Sequence, residues 1–273
     1  MPPFLILTTV GTSALQRDKL EGLGLFAQWD PGTERLLPKG KDAGKGDALI
    51  EQLQSIGGVT AFIDNYLELV QREIGLEDNS ITRELRNPKI TLSNRFSAEF
   101  SSLYLLLSRP ELEISSVKVT LLLSDSPEGA LCGLINQRLI QRKYGLESEL
   151  KVVNGLQTEN FEEFYNTGLQ SFLELVSQQG ADYRAERVWL NITGGFKSLI
   201  PYCTYLSFAY DHPLYFVFEE QPVPVGINLN QFKDFSPTDE GKIRDVKTIL
   251  RRMGSEFPMS ANPHPSMGTP DPP

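Results

Sequence analysis

The sequence predicts an α/β protein with a Rossmann-like, doubly wound, mainly parallel sheet and helices on both faces. Short apolar runs alternate along the chain with longer segments in which apolar residues recur at helical spacing. The runs are nearly continuous, which is typical of parallel strands covered on both faces. Two of them lead directly into small-residue turns, Gly11-Thr12-Ser13 and Thr193-Gly194-Gly195. These features predict strands that end in turns at one edge of a parallel sheet.

Length and composition predict one main domain with additions. The chain has 273 residues, of which 40% are hydrophobic, and this is enough for one medium-sized core. We predict a Rossmann domain over residues 1–235, with an inserted loop region at about 21–58 that is rich in Gly, Lys, Asp and Pro. A C-terminal helix is predicted over residues 236–254. Residues 255–273, rich in Pro, Ser, Gly and Met, are predicted to be a disordered tail.

The first half of the chain has two predicted strands and several helices. Residues 4–10 form a short buried strand, and residues 47–53 and 59–74 have helical spacing. Ser97-Ala98-Glu99 begins an amphipathic helix, whose apolar residues are Phe100, Leu103, Tyr104 and Leu107. Residues 117–123 form the second strand.

A helix follows the second strand. Ser126 is suited to cap this helix, and Pro127 is suited to its first position, where a missing N–H costs nothing. The residues predicted to be buried on this helix are Leu131, Leu134, Ile135 and Leu139.

The second half of the chain continues the alternation. Residues 161–176 keep helical spacing without a break, and we interpret their aromatic stripe as core. A helix over 199–210 follows the second small-residue turn. Pro222 and Pro224 favour an edge position for the last strand. The predicted strands of this half cover residues 149–153, 187–190, 214–218 and 223–229.

The two small-residue turns form the candidate binding site. Glycine lets the backbone turn sharply and approach a ligand closely, and a helix N-terminus offers N–H groups to an anion. Lys197 lies in the first turn of the predicted helix. Both turns follow parallel strands and so face one crevice, which predicts phosphate binding. The same residues also fit structural roles, since glycine suits ordinary strand-to-helix turns, Thr and Ser cap helices, and a lysine can simply be solvated.

Charge and composition argue against several classes of partner. The net charge of -9 makes duplex nucleic acid an improbable ligand, although a local pocket for a small anion is compatible with it. His212, His264, Cys132 and Cys203 match no metal-ligand spacing, so we expect no metal and no cofactor. No apolar run is long enough to span a membrane, and the start lacks the pattern of a signal peptide. With two buried, reduced cysteines in helices, we expect a cytoplasmic protein.

The chain resembles the CARF domain, the Rossmann-like sensor of type III CRISPR systems, and in particular its stand-alone ring nucleases. Three segments carry the resemblance: Thr8-Thr9-Val10-Gly11-Thr12-Ser13, Leu122-Leu123-Ser124-Asp125-Ser126-Pro127-Glu128-Gly129 and Leu190-Asn191-Ile192-Thr193-Gly194-Gly195-Phe196-Lys197. The third segment is followed by the matching run Leu214-Tyr215-Phe216-Val217-Phe218-Glu219. Their order and spacing cover nearly all of residues 4–230. The inserted region at 21–58 departs from the leaner pattern of the family.

The resemblance implies a cyclic oligoadenylate ligand, most often the tetra-adenylate, bound across a homodimer. It also implies metal-independent cleavage of that ligand to linear products with a 2′,3′-cyclic phosphate. By analogy, Ser13 and Lys197 are the catalytic pair. The implied ligand-binding residues are Gly11, Thr12, Ser124, Asp125, Ser126, Asn191, Thr193, Gly194, Gly195 and Phe196.

Three functional hypotheses fit the sequence. The first is a ring nuclease that removes the cyclic signal, and the second is a binding-only CARF sensor that regulates a partner. The third is an unrelated nucleotide-binding Rossmann enzyme, although neither the G-x-G-x-x-G nor the G-x-x-x-x-G-K-[S/T] fingerprint occurs. No arginine precedes His212 or His264 at the four-to-six-residue spacing of a HEPN ribonuclease effector, which favours signal removal over signal transmission.

Overall fold

A computed structural model describes the ranges 3–25, 37–38, 44–74, 97–110, 112–156, 161–195, 197–218 and 221–227. All of them lie within the compact unit Met1–Ser236. The predicted C-terminal helix at 236–254 and the predicted tail at 255–273 lie outside the described residues.

The described residues form a six-stranded sheet, whose order is β3-β2-β1-β4-β5-β6. Strands β1 to β5 pair in parallel, and β6 runs antiparallel to β5 at the edge. This confirms the predicted Rossmann-like, mainly parallel α/β fold. The strands are β1 Phe4–Val10, β2 Val117–Ser124, β3 Ser148–Val153, β4 Val188–Asn191, β5 Leu214–Phe218 and β6 Gln221–Ile227.

The strand order places a topological switch point between β1 and β4. From β1 the chain moves outward to β2 and β3, then returns to the other side of β1 to form β4 and β5. The register aligns the carboxyl ends, because Val10 pairs with Leu123 of β2 and Thr8 pairs with Asn191 of β4. Ligands of open parallel sheets bind at such a switch point, beyond the carboxyl ends of the strands.

In the described part of the chain, four α-helices lie between β1 and β2: α1 Arg17–Gly22, α2 Asp47–Ser55, α3 Gly57–Ile74 and α4 Ala98–Leu107. The helices predicted at 47–53, at 59–74 and after Ser97 are therefore confirmed. Part of the inserted region belongs to the core, since Leu25, Leu37, Leu49 and Leu53 are all buried.

Helix α4 differs from its prediction in one respect. It is not amphipathic, because most of its residues are buried, whichever side of the helix they lie on. The buried residues are Glu99, Phe100, Ser101, Ser102, Leu103, Tyr104, Leu106 and Leu107. An apolar helix that is covered on nearly every side lies inside the protein and not on its surface. Its first turn is capped by Ser97, whose hydroxyl accepts a hydrogen bond from the Phe100 N–H at 3.0 Å.

Helix α5, Pro127–Tyr144, begins and packs as predicted. Ser126 caps it, since its hydroxyl accepts from the Gly129 N–H at 3.1 Å, and Pro127 occupies the first position. Leu131, Leu134, Ile135 and Leu139 are all buried. Gly145 ends the helix in the left-handed conformation, with φ of 65°.

The remaining helices follow the predicted order with one irregularity. Helix α6, Phe161–Glu163, continues through a π-helical segment, Phe164–Gly168, into α7, Leu169–Gly180. The chain is thus helical over the predicted range, but the π-helical segment interrupts the regular spacing. Gly168 packs there against the Gly155 backbone, where an added Cβ would lie 2.2 Å from the Gly155 oxygen. Helix α8, Ile200–Tyr210, precedes β5.

Much of the predicted stripe is core: Phe164 of the π-helical segment is buried, as are Phe172, Leu173 and Val176 of α7, while Tyr165 is half-buried. Cys132 and Cys203 are free, buried thiols. Among the described residues, no helix is both long enough and apolar enough to cross a membrane.

Candidate functional site

The two small-residue turns meet at the switch point between β1 and β4. Gly11 follows β1, and a Cβ added to it would lie 2.9 Å from both the Cα and the N of Gly195. The two turns therefore touch backbone to backbone. Real Cβ contacts are not this short, so a larger residue at Gly11 would force the turns apart.

The turn after β4 is held by contacts to β1. Gly195 has φ of 87°, a conformation that favours glycine, and a Cβ there would lie 2.9 Å from the Thr9 Cβ. The Thr9 hydroxyl donates a hydrogen bond to the Gly194 carbonyl oxygen at 2.5 Å. The sequence predicted glycine here for close approach to a ligand. In the structure, close approach to other protein atoms is sufficient to require glycine: Gly195 lies against the Thr9 side chain, and Gly194 lies against the Glu99 side chain.

Glu99 joins the two turns and was not among the predicted site residues. Its side chain is fully buried, and its Oε1 accepts a hydrogen bond from the Gly11 N–H at 2.8 Å. Its Oε2 accepts from the Ser13 hydroxyl. A Cβ added to Gly194 would lie only 2.2 Å from the Glu99 Oε1, so the carboxylate also lies directly against the β4 turn.

One sequence signal could have identified Glu99. It is the only charged residue in α4, whose other residues are apolar or small. A helix this apolar is expected to be buried, and a glutamate in its first turn is then buried with it. The usual expectation for a first-turn glutamate is a solvated residue that interacts favourably with the helix dipole.

Ser13 connects the β1 turn to the beginning of α4. Its hydroxyl donates to Glu99 and accepts from the Ala98 N–H at 3.0 Å. Its side chain is half-buried. Ser13 thus has a structural role, and its predicted catalytic role stays a prediction.

The buried Asn191 and the half-buried Thr193 connect β4 to α4 and β5 by hydrogen bonds. The Asn191 amide donates to the Ser102 hydroxyl at 2.8 Å, and its Oδ1 accepts from the Thr193 hydroxyl at 2.9 Å. The Thr193 oxygen accepts in turn from the Val217 N–H at 3.0 Å. These contacts give both side chains structural roles in shaping the turn that carries Gly194 and Gly195.

Two of the predicted residues are exposed at this edge, Thr12 and Lys197. Lys197 is the first residue of a 3₁₀ turn, Lys197–Leu199, which leads into α8. It therefore begins the helical segment, as predicted, although the first turn is 3₁₀ and not α-helical. Phe196 lies outside the described residues.

A third predicted group, Ser124, Asp125 and Ser126, lies at the carboxyl end of β2, the neighbour of β1. The buried Ser124 hydroxyl lies 3.0 Å from that of Ser126. Asp125 Oδ2 accepts from the Gly155 N–H at 2.8 Å, which ties the β2 turn to the turn after β3. The structure places this group at the same edge as Ser13, while its described contacts run towards β3 and α5.

The carboxylate of Glu99 adds negative charge beneath the β1 turn. Burial raises the pKa of the Tyr66 phenol, and electrostatic interactions with Cys132 and Glu99 raise this pKa further. Burial also raises the pKa of the Cys132 thiol, and Glu99 contributes to that rise. Within the described residues, no group of three or more His, Cys, Asp or Glu side chains is arranged to hold a metal ion.

Comparison with known proteins gives one result that bears on function. Residues 94–227 match the family model described as CRISPR-associated protein (Cas_APE2256). No curated protein matches the sequence. The matched range begins before α4 and extends to the end of β6, so it includes Glu99 and the β4 turn, while the Gly11–Ser13 turn precedes it. The match supports a CRISPR-associated protein.

Proposed function

We propose that the protein binds a cyclic oligoadenylate, in particular the tetra-adenylate, at the β1–β4 switch point and cleaves it as a ring nuclease. The observation that carries the proposal is the meeting of the Ser13 turn with the turn that leads to Lys197. The two turns carry the half-buried Ser13 hydroxyl and the exposed Lys197, which begins a helical segment. Both lie at the edge of a Rossmann-like sheet where ligands bind. The CRISPR-associated family match over residues 94–227 supports a ligand from that system.

The proposed reaction is an internal transesterification. The ribose 2′-oxygen of the ligand attacks the adjacent phosphorus, a P–O2′ bond forms, and the P–O5′ bond breaks. The proton lost from the 2′-hydroxyl is balanced by the proton gained by the leaving 5′-oxygen. The products are linear oligoadenylates that end in a 2′,3′-cyclic phosphate, and no water is consumed in this step.

The protein contributes position and charge to this reaction. Lys197 meets the phosphate, where negative charge increases in the transition state, and Ser13 orients the ribose. A ring with two-fold symmetry fits a homodimer in which each subunit contacts one half with the same residues. Thr12, Gly194, Gly195 and the β2 turn at Ser124–Ser126 are the proposed surroundings of the ring.

One observation favours binding without cleavage as the second candidate. The Ser13 hydroxyl is already bonded to Glu99 and to the Ala98 N–H, so this turn is built as a rigid support. Such a support also suits a sensor that holds the ring intact and regulates a partner.

A chromatographic assay tests the proposal. Purified protein is incubated with cyclic tri-, tetra- and hexa-adenylate, and the products are separated with and without phosphatase treatment. We expect linear products with a 2′,3′-cyclic phosphate from at least one ring. Tight binding with no product after prolonged incubation would support the sensor, and neither binding nor cleavage of any ring would refute both candidates.

A further inference from the structure

The contacts of Ser13 determine which kind of ligand atom its hydroxyl can meet. A serine hydroxyl has one proton to donate and two lone pairs with which to accept. The proton is directed to the Glu99 carboxylate, and one lone pair accepts from the Ala98 N–H at 3.0 Å. One lone pair remains on a side chain that is half-buried.

Glu99 acts on this hydroxyl from inside the protein. Its side chain is fully buried, so it does not meet the ligand itself. Its other oxygen is anchored by the Gly11 N–H at 2.8 Å, and Gly194 lies directly against it. The carboxylate is therefore held in place on both sides and has little freedom to release the Ser13 proton.

We infer that Glu99 is a positioning residue that makes Ser13 a hydrogen-bond acceptor, selective for a ligand hydroxyl and not for a phosphate oxygen. This inference rests on the proposed function, in which the hydroxyl is the ribose 2′-OH. A phosphate oxygen has no proton to offer to the remaining lone pair. It would also be repelled by the negative charge of Glu99 beneath Ser13.

The two sides of the site then differ in charge. The hydroxyl of the ribose lies against the Ser13 side of the crevice, and the phosphate lies against Lys197, the exposed cation that follows the β4 turn. Glu99 thereby selects a ribose ring over a deoxyribose ring and places the attacking 2′-oxygen.

Glu99→Gln is the informative substitution because it keeps the shape of the side chain. Its amide oxygen can still accept from the Gly11 N–H, but its NH₂ group must now donate to Ser13. The serine proton is then turned towards the ligand, and the acceptor becomes a donor. A lost hydrogen bond of ordinary strength corresponds to about a tenfold change in affinity.

The experiment compares the affinities of two rings. Dissociation constants are measured by stopped-flow titration, before turnover, for the cyclic oligoadenylate that binds most tightly and for its all-2′-deoxy analogue. The proteins are the wild type, Ser13→Ala and Glu99→Gln. The control variants are Glu113→Gln and Ser115→Ala, which change the acceptor and the donor of an exposed hydrogen bond of 3.1 Å just before β2, at the end of that strand opposite the site.

We expect the wild type and both controls to prefer the ribose ring by about tenfold, and the preference to vanish in Ser13→Ala and Glu99→Gln. A merely structural role for Glu99 would weaken both rings equally and leave the preference unchanged, which would overturn the inference. Should Glu99→Gln fail to fold, the Ser13→Ala comparison decides alone, and a preference that persists there overturns it.

The wild type separates this inference from the proposed function. A wild-type protein that binds both rings equally overturns the inference alone. A wild-type protein that binds neither ring overturns the proposed function, and the inference with it.

Discussion

The contact between Gly194 and Glu99 predicts a large loss of stability for Gly194→Ala. The new Cβ would lie 2.2 Å from the Glu99 Oε1 and 2.3 Å from its Cδ and Cγ, whereas ordinary contact begins near 3.4 Å. The overlap is therefore about 1.2 Å with a carboxylate that is fully buried. Gly194 has no positive φ, so the cost is steric and not conformational.

Overpacking of this kind usually costs about 1–3 kcal/mol, and we expect the upper end of that range because the carboxylate is held by the Gly11 N–H. Urea denaturation measures the loss as a lower midpoint at an unchanged slope. Gly57→Ala is the control: an added Cβ there meets nothing within 4 Å, and it lies in the first turn of α3. We expect that variant to be unchanged or to gain up to about 1 kcal/mol.

A second variant tests whether the loss of stability in Gly194→Ala comes from the contact with Glu99. Glu99→Ala removes the atoms that the new Cβ would meet, so Gly194→Ala should cost less in that background than in the wild type, by about 1 kcal/mol or more. A Gly194→Ala protein within about 0.5 kcal/mol of the wild type would refute the packing of the two turns on Glu99. If the stability losses of Gly194→Ala and Glu99→Ala simply add in the double variant, the proposed clash between the new Cβ and Glu99 is refuted.

Four other predictions concern Lys197, the need for a metal ion, the dimer and the buried thiol of Cys203. Lys197→Ala should reduce the single-turnover cleavage rate on the order of 100-fold and weaken ligand binding much less. The control is Lys118→Ala, which changes an exposed lysine near the start of β2 and should match the wild type. Equal cleavage rates for the two variants would exclude a role for Lys197 in cleavage. Cleavage should continue in excess EDTA, and loss of activity that Mg²⁺ or Mn²⁺ restores would show that the positioning mechanism is wrong. Light scattering should give the mass of a dimer, and a monomer both with and without ligand would contradict the proposed interface. Burial raises the pKa of Cys203 from 9.0 to about 12, so its contribution to stability is present below pH 9 and is lost as the pH rises towards 12. A thiol reagent at pH 8 should leave Cys203 unmodified in the native protein, and rapid labelling would show that the protein opens around this thiol.

Much of the fold was predictable because it depends on local patterns. Apolar runs located β1, β2, β4 and β5, Ser126 and Pro127 located the start of α5, and Pro222 and Pro224 indicated the edge strand. These signals act within a few residues along the chain, through capping, proline geometry and burial of one face. The π-helical segment in the 161–180 helix was missed because spacing alone does not reveal one residue inserted into a helix.

The internal organisation of the site was less predictable because its contacts are long-range. The sequence placed Gly11 and Gly194 at one edge, but it contained no signal that the two turns touch each other. Glu99 is 86 positions from Ser13 and 88 from Gly11, and the Thr9 bond to Gly194 joins residues 185 positions apart. Local periodicity carries no information about such partners. The one available clue was a single charge in an apolar helix.

In the proposed complex, two copies of the β1–β4 switch point hold one cyclic oligoadenylate. Isothermal titration calorimetry of Lys197→Ala, in which cleavage is expected to be slow, tests this arrangement by measuring affinity and stoichiometry together. We predict saturable binding of one ring, with one ligand bound for every two chains, and much weaker binding of linear oligoadenylate of the same length. Binding of one ligand to each chain would contradict the shared site, and the absence of binding by every cyclic ring, in this variant and in the wild type, would contradict the proposed function.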